Sequence, residues 1–263
     1  MSMPKSVLWE INADQHHTSY LLGTIHIEDI GLASFKLAID KYLSQADIIG
    51  TEIHLLEAKQ FNLQDYILID PLTDQSISDI HWEKLEQRCF RYLGLDISSY
   101  KQYKPLVILN IISIHILANN ATHQGLDEWI WEQGERNHKI CIGLEDLVTH
   151  YNYLNQIPLP IQYKMLLDAS KNITKLKKQS KQLLASYLKQ DLTTIYKKSK
   201  RMLGQYRHSF LYERNQSITE QIIHWSKTGS LFASCGAGHL GGHYGIISLL
   251  KRSGFKIKPI QIN

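Results

Sequence analysis

Residues 230–239, SLFASCGAGH, repeat the form of residues 18–26, TSYLLGTIH, although more than 200 residues separate them. In each, a short apolar run with strand-forming residues enters Gly-x-x-His, and a helical pattern follows. The glycine lets the backbone turn where the strand ends, and open α/β sheets collect their ligands beyond the C-terminal ends of strands. Two such units near opposite ends of the chain imply that the N- and C-terminal portions share one sheet.

Working outward, Val7–Ile11 and Ser19–Gly23 read as a hairpin turning through Asp14 and Gln15. Phe35, Leu37, Ala38, Tyr42 and Leu43 have helical spacing with Ser34 as the cap. The β-branched run Asp47–Ile53, DIIGTEI, then reads as a buried strand, which completes a strand, helix, strand unit. Helical periodicity runs over Ser78–His123 and again over Gly125–Glu135 before a strand at Lys139–Gly143, KICIG. From Asp146 to about Trp225 the patterns are helical, interrupted at Pro158, Pro160 and near Gly204. Leu231–Cys235 is a strand, Tyr244–Ser253 a helix and Phe255–Ile262 a closing strand. The expectation is an α/β fold: a central mixed sheet built from the N- and C-terminal portions, in one domain over residues 1–263, with a helical lobe at about 146–228 inserted.

Composition narrows the class. The 263 residues are 43% hydrophobic and 21% charged, with 6 Pro and 15 Gly, which excludes disorder and collagen-like order. The three cysteines, Cys89, Cys141 and Cys235, form no CxxC pair, so neither a disulfide framework nor a zinc knuckle is available. No apolar signal-peptide core follows Met1, which points to a cytoplasmic protein. The most apolar window, Pro105–Ala118, carries Asn110, Ser113 and His115 and is shorter than the roughly 20 residues a bilayer span needs, so it reads as a buried core helix and not as a transmembrane segment.

The net charge of +4 conceals an asymmetry, because residues 171–201 hold ten Lys/Arg and one Asp while the rest is net acidic. Ile173, Leu176, Leu183, Leu184, Tyr187 and Leu188 recur there at helical spacing, so the lysines read as a solvated outer face that shapes access for acidic substrates at most. No nucleic-acid motif accompanies them, and nucleic acid is not an expected partner.

The chemistry concentrates at strand ends. His26 and His239 close the two Gly-x-x-His units. Glu52 lies in an otherwise apolar run, a poor place for a carboxylate without a partner or a task, and Glu145 follows the KICIG strand in the same way. The turn Leu240-Gly241-Gly242 leads from His239 toward a helix whose N-terminus would favour an anion or a polarised oxygen. Two imidazoles with one or two carboxylates can hold a divalent ion with open positions for water and substrate, and mixed nitrogen and oxygen ligands suit Mn, Co, Fe or Zn. The same groups could work without metal, a histidine activating water beside Glu52 or Glu145. Arg214, among apolar Phe210, Leu211, Ile218 and Ile222, is expected to reach the pocket and pair with Glu52 or Glu145. His243 is near enough to His239 in sequence to contact substrate. His16 and His17 lie in a turn, and His54 falls opposite Glu52 by strand alternation.

These residues also carry a resemblance. LLGTIH, GLDEW followed by ICIGLED, the ERN helix at Glu213–Asn215 and the terminal CGAGHLGGHYGIISLLKRSGFKIKPI together resemble the TraB/PrgY/GumN family, related to the Tiki metalloproteases. The resemblance implies a metal-dependent peptidase with His26 and His239 as metal ligands and Glu52 as ligand or general base. It also implies roles for Glu145 and Arg214 in catalysis and for Asn215 toward the substrate, a peptide or another small molecule. Erythromycin esterase-like hydrolases and ChaN-like haem-binding proteins share this architecture, so a metal-free esterase-like hydrolase or a non-catalytic peptide- or haem-binding protein stays open.

Overall fold

A computed structural model describes residues 5–12, 17–25, 32–70, 77–117 and 125–262. Six strands form one sheet: β1 Leu8–Asn12, β2 Ser19–Thr24, β3 Ile48–Thr51, β4 Ile140–Gly143, β5 Leu231–Gly236 and β6 Lys256–Ile260. The helices among the described residues are α1 Leu32–Ser44, α2 Leu55–Gln60, α3 Gln64–Ile67, α4 Asp79–Leu93, α5 Pro105–Leu117, α6 Leu126–Arg136, α7 Leu147–Asn155, α8 Leu159–Lys171, α9 Ile173–Leu188, α10 Leu192–Leu203, α11 Arg214–Trp225 and α12 Ile246–Arg252. None is long and apolar enough to cross a membrane.

The sheet order is β4-β3-β5-β2-β1-β6. β4, β3, β5 and β2 run parallel, while β1 is antiparallel to both β2 and β6. The sheet is therefore mixed and draws on both ends of the chain, with helices supplied by the middle. β3 and β2 are buried at every position and β5 at all but its last, as parallel strands covered on both faces must be. The edge strand β6 is largely exposed and carries Lys256, Lys258 and Pro259, residues that discourage further strand pairing.

The two Gly-x-x-His units become neighbours. β2 and β5 pair in parallel with Gly23 opposite Cys235 and Thr24 opposite Gly236, so the repeated motif leaves the sheet at one end from adjacent strands. A Cβ built on Gly23 would lie 2.9 Å from the Ala237 Cα, so only glycine permits this approach of β2 to the turn after β5.

The chain divides into two compact units, one of Met1–Gln60, Thr122–Leu147 and Leu183–Asn263, the other of Phe61–Ala121 and Val148–Gln182. The first holds the sheet. Its core gathers Leu8, Trp9, Leu21, Ile49, Ile130, Tyr187, Ile218, Phe232 and Leu250. Tyr187, one of the apolar residues of the basic segment, is wholly buried and donates its hydroxyl to the Gly23 carbonyl at 2.8 Å. The second unit packs Trp82, Leu85 and Cys89 of α4, Ile108 and Ile112 of α5 and Leu166 of α8 into a core of its own. There the buried Lys104 ammonium donates to the Tyr66 carbonyl at 2.5 Å and to Asn155 Oδ1 at 2.7 Å, and burial lowers its pKa.

Several local expectations need correction. α1 already includes Leu32, so Ser34 stands in its first turn and is not its cap; Leu32 and Ala33 contain nothing that breaks a helix. The helical run expected over 78–123 divides at Gly94, which adopts a left-handed φ of 67° and receives the end of α4, and α5 begins only at Pro105. β3 ends at Thr51, so strand alternation does not reach His54, whose ring instead packs edge-on against Trp131 at 4.6 Å. The terminal helix begins at Ile246, seven residues after His239, because Gly242, with φ 86°, and Gly245 turn the chain first; His239 does not sit at that helix N-terminus. The hairpin turn at Asp14 and Gln15, together with His16, lies outside the described residues.

Candidate active site

Adjacent strand ends position the carboxylates. Thr51, the last residue of β3, is in register with Gly143, the last of β4. Beyond these ends the ladder continues for two bonds, Leu144 N–H to the Thr51 carbonyl at 2.8 Å and Glu145 N–H to the Glu52 carbonyl at 2.9 Å. Glu52 and Glu145 are thereby held side by side, each offering a carboxylate oxygen within 4.8 Å of the other. Both are buried, at 8% and 7% exposure.

Two carboxylates so close and so dry require a counter-charge, and Arg214, the first residue of α11, supplies it. Its Nε donates to both Glu145 oxygens at 2.9 and 3.1 Å, and its Nη2 donates to Glu145 Oε2 at 2.5 Å and to Glu52 Oε1. Burial alone would lower the guanidinium's pKa; the charges of Glu52 and Glu145 overcome that and hold it above its usual value. A π-helical turn, His208–Glu213, directly precedes Arg214, a kind of irregularity often found where a helix presents functional groups.

Gly236, the last residue of β5, donates its N–H to Glu52 Oε2 at 3.1 Å. A Cβ added here would rest in ordinary contact with His239 Cδ2 at 3.5 Å and Glu52 Oε2 at 3.7 Å, so the imidazole and the carboxylate flank one point beside Gly236. His239 ends a single 3-10 turn, Ala237–His239, and is 7% exposed.

The histidine's tautomer follows from its neighbour. Asn215 donates Nδ2 to the Tyr244 carbonyl at 2.7 Å, which turns its Oδ1 toward His239 Nδ1, 2.6 Å away. A carbonyl oxygen accepts only, so Nδ1 carries a proton, and in the neutral ring Nε2 is then the basic nitrogen. A ligating or proton-accepting histidine has this arrangement, with one nitrogen tied back by an outer partner. Glu52 and Glu145 thus offer buried carboxylate oxygens, close together at adjacent strand ends, of the kind that could hold a divalent metal ion.

The structure thus joins Glu52, Glu145 and Arg214 in one hydrogen-bonded group and Asn215 and His239 in a second, with Gly236 lying close to both Glu52 and His239. His26 lies outside the described residues; β2, two residues before it, ends at Thr24 opposite Gly236. His243 is exposed on the glycine-rich loop, its ring edge-on to Tyr244 at 4.9 Å. Sequence reasoning missed the Gly236 amide as a carboxylate donor and the Tyr244 carbonyl that sets the Asn215 amide, since main-chain groups leave no mark in residue identity. Tyr187 was legible only as an apolar repeat.

No curated protein and no solved structure gives a match to the chain. The family model described as TraB/PrgY/gumN family matches residues 7–259, from the start of β1 almost to the end of β6 and through every residue of this site. With nearly its whole length matched, the chain belongs to the TraB/PrgY/gumN family.

Proposed function

We propose that the protein is a metal-dependent hydrolase that cleaves peptide bonds, with His26 and His239 as metal ligands and Glu52 as ligand or general base. The observation that carries this reading is the His239 imidazole, locked by Asn215 in the tautomer that offers Nε2, across Gly236 from the Glu52 carboxylate. A divalent ion bound here, Mn, Co, Fe or Zn by its donor types, would polarise the scissile carbonyl and acidify a water.

The chain's own groups supply the rest. Glu52 takes a proton from the attacking water on its carboxylate, and the Gly236 amide and Arg214 hold that carboxylate in place by hydrogen bonds to its two oxygens. The same carboxyl then returns the proton to the departing amine. Arg214 contacts the two carboxylates and acts by keeping both charged groups in position, with Glu145 fixing the guanidinium from the opposite side. Asn215, engaged at both ends of its amide, positions His239, and the exposed His243 is the group placed to meet substrate.

The test is metal analysis of protein purified without chelator, combined with cleavage of a peptide library with and without EDTA. Stoichiometric metal, loss of cleavage in EDTA and its return on adding a divalent ion are expected, together with loss in His239→Ala. Absence of metal and of cleavage under every divalent ion would overturn the proposal, and full activity in EDTA would replace it with hydrolysis by Glu52 and His239 alone.

A further inference from the structure

In the second unit a cleft of about 790 Å³ opens between α4 and the junction of α8 with α9. Lys84, Arg88 and Arg91 line it from α4, and Lys171, Lys175 and Lys178 line it from the end of α8 and the start of α9. On α4 the spacing of four then three residues sets Lys84, Arg88 and Arg91 on one helix face, while Lys171 ends α8 and Lys175 and Lys178 lie on the first turns of α9. None of the other described lining residues is Asp or Glu. Asp168 meets Lys171 at 3.4 Å, but both side chains are more than half exposed and the pair screens one cation of six weakly.

Two rows of like charge lining one concavity repel, and among the described lining residues no carboxylate offsets that. The arrangement is nonetheless braced. Arg88 Nη1 donates to Ser170 Oγ at 3.3 Å, the Arg91 guanidinium lies over the Tyr92 ring at 5.6 Å, and Lys177 Nζ donates to the Tyr92 carbonyl at 2.7 Å. Of the ten basic residues between 171 and 201, Lys171, Lys175 and Lys178 line this cleft, with their side chains open to solvent.

We propose that the cleft binds a soluble small molecule bearing several phosphates, about the size of a nucleoside triphosphate. The volume lies in the range of small-molecule sites, roughly 300–1,000 Å³. Two guanidinium forks suit phosphate oxygens, and four ammonium groups supply the remaining charge. This site is separate in residues from the strand-end group and does not depend on the hydrolase reading.

Calorimetric titration of the full chain with inorganic tripolyphosphate and with ATP, without divalent metal, tests it. Both probes should bind, more weakly as salt rises from low to physiological. Lys171→Gln/Lys175→Gln/Lys178→Gln should weaken binding by about tenfold or more, because each charge-assisted contact is worth a factor of that order. The equally charged change Lys197→Gln/Lys198→Gln/Lys200→Gln, on α10 and outside the cleft, should leave binding within about twofold. All substituted lysines sit on helix surfaces, and circular dichroism verifies that both variants fold. No binding at millimolar probe in low salt would overturn the proposal. So would equal losses in the two triple variants, which would reveal diffuse surface charge. Binding only to vesicles with phosphorylated headgroups, or to duplex DNA in preference to tripolyphosphate, would also refute a soluble small ligand.

Discussion

Replacing Arg214 with Met would leave Glu52 and Glu145 buried with no guanidinium between them. Two full charges no more than 4.8 Å apart repel by roughly 3.5 kcal/mol or more at an effective dielectric of about 20. Removing one partner from a buried ion pair costs about 3–5 kcal/mol, so the two routes to the magnitude agree. With a urea m-value of about 3 kcal/mol per molar, the unfolding midpoint should fall by about 1–1.5 M at neutral pH. The deficit should also depend on pH. In the variant a carboxyl beside a like charge in a dry site has its pKa raised above the unfolded value. Such a group is no burden below the unfolded carboxyl pKa, near 4.3, and its cost grows as pH rises past that point. Urea titrations of both proteins followed by circular dichroism should therefore show the gap narrowing from pH 7.5 toward pH 4.5 and widening again on return. Glu52→Gln/Glu145→Gln/Arg214→Met should recover most of the loss, since uncharged groups of similar shape need no counter-charge. A deficit below about 1 kcal/mol, or one independent of pH, would refute the ion-triad account.

Asn215→Leu removes the acceptor that ties down His239 Nδ1, and metal affinity or kcat should fall by about 10–100-fold with the fold unchanged by circular dichroism; unaltered values would mean that the tautomer lock does not matter. Gly23→Ala places a Cβ against the Ala237 main chain and should cost about 1–3 kcal/mol in thermal unfolding, whereas an unchanged Tm would contradict the close packing of β2 on that turn. The Tyr196 phenol is pushed up to about 12 by burial and by its hydrogen bond with Tyr212. Its stabilising contribution is complete below the ordinary tyrosine value near 10 and is lost as pH rises toward 12, so Tyr196→Phe should flatten the decline of the urea midpoint across that interval.

The sheet was legible because strand signals are local. All six strands lie within a few residues of where alternation and β-branched content placed them, and the shared glycine and histidine pattern put β2 and β5 in one sheet, where they are neighbours. Glu52 and Glu145 stood out because a carboxylate in an apolar run is costly without a partner, and a lone arginine in an apolar helical context was the complementary signal. Their pairing depends on parallel register between β3 and β4, which residue identity does not encode. Helix boundaries were less legible. The start of α1, the break at Gly94 and the delayed start of α12 depend on turn conformations that several sequences can adopt. The basic segment was legible as a solvated face, and Lys171, Lys175 and Lys178 are indeed exposed; that a second trio on α4 shares their cleft depends on tertiary packing that the segment's own spacing does not carry.

Charge balance separates the two hydrolytic mechanisms. Arg214 brings one positive charge to two carboxylates, and Asn215 Oδ1 accepts from His239 Nδ1, so with both carboxyls ionised and the ring neutral these four side chains sum to one negative charge. A buried negative charge of that kind is offset by a bound cation, by a proton on His239 Nε2 or by a proton on one carboxyl. The cation leaves Glu52 ionised and competent as a base, which the metal-dependent reaction requires. The proton on a carboxyl would turn that group into an acid and leave the other, with His239 Nε2, to activate water. Glu145→Gln removes one negative charge while keeping a hydrogen-bond acceptor for Arg214, and so neutralises the group in advance. If the site is built for a cation, this substitution weakens metal binding and activity together, and added metal restores activity. If it is built for a proton, activity becomes independent of metal and its rise with pH shifts, because the remaining carboxylate no longer shares a proton with a neighbour.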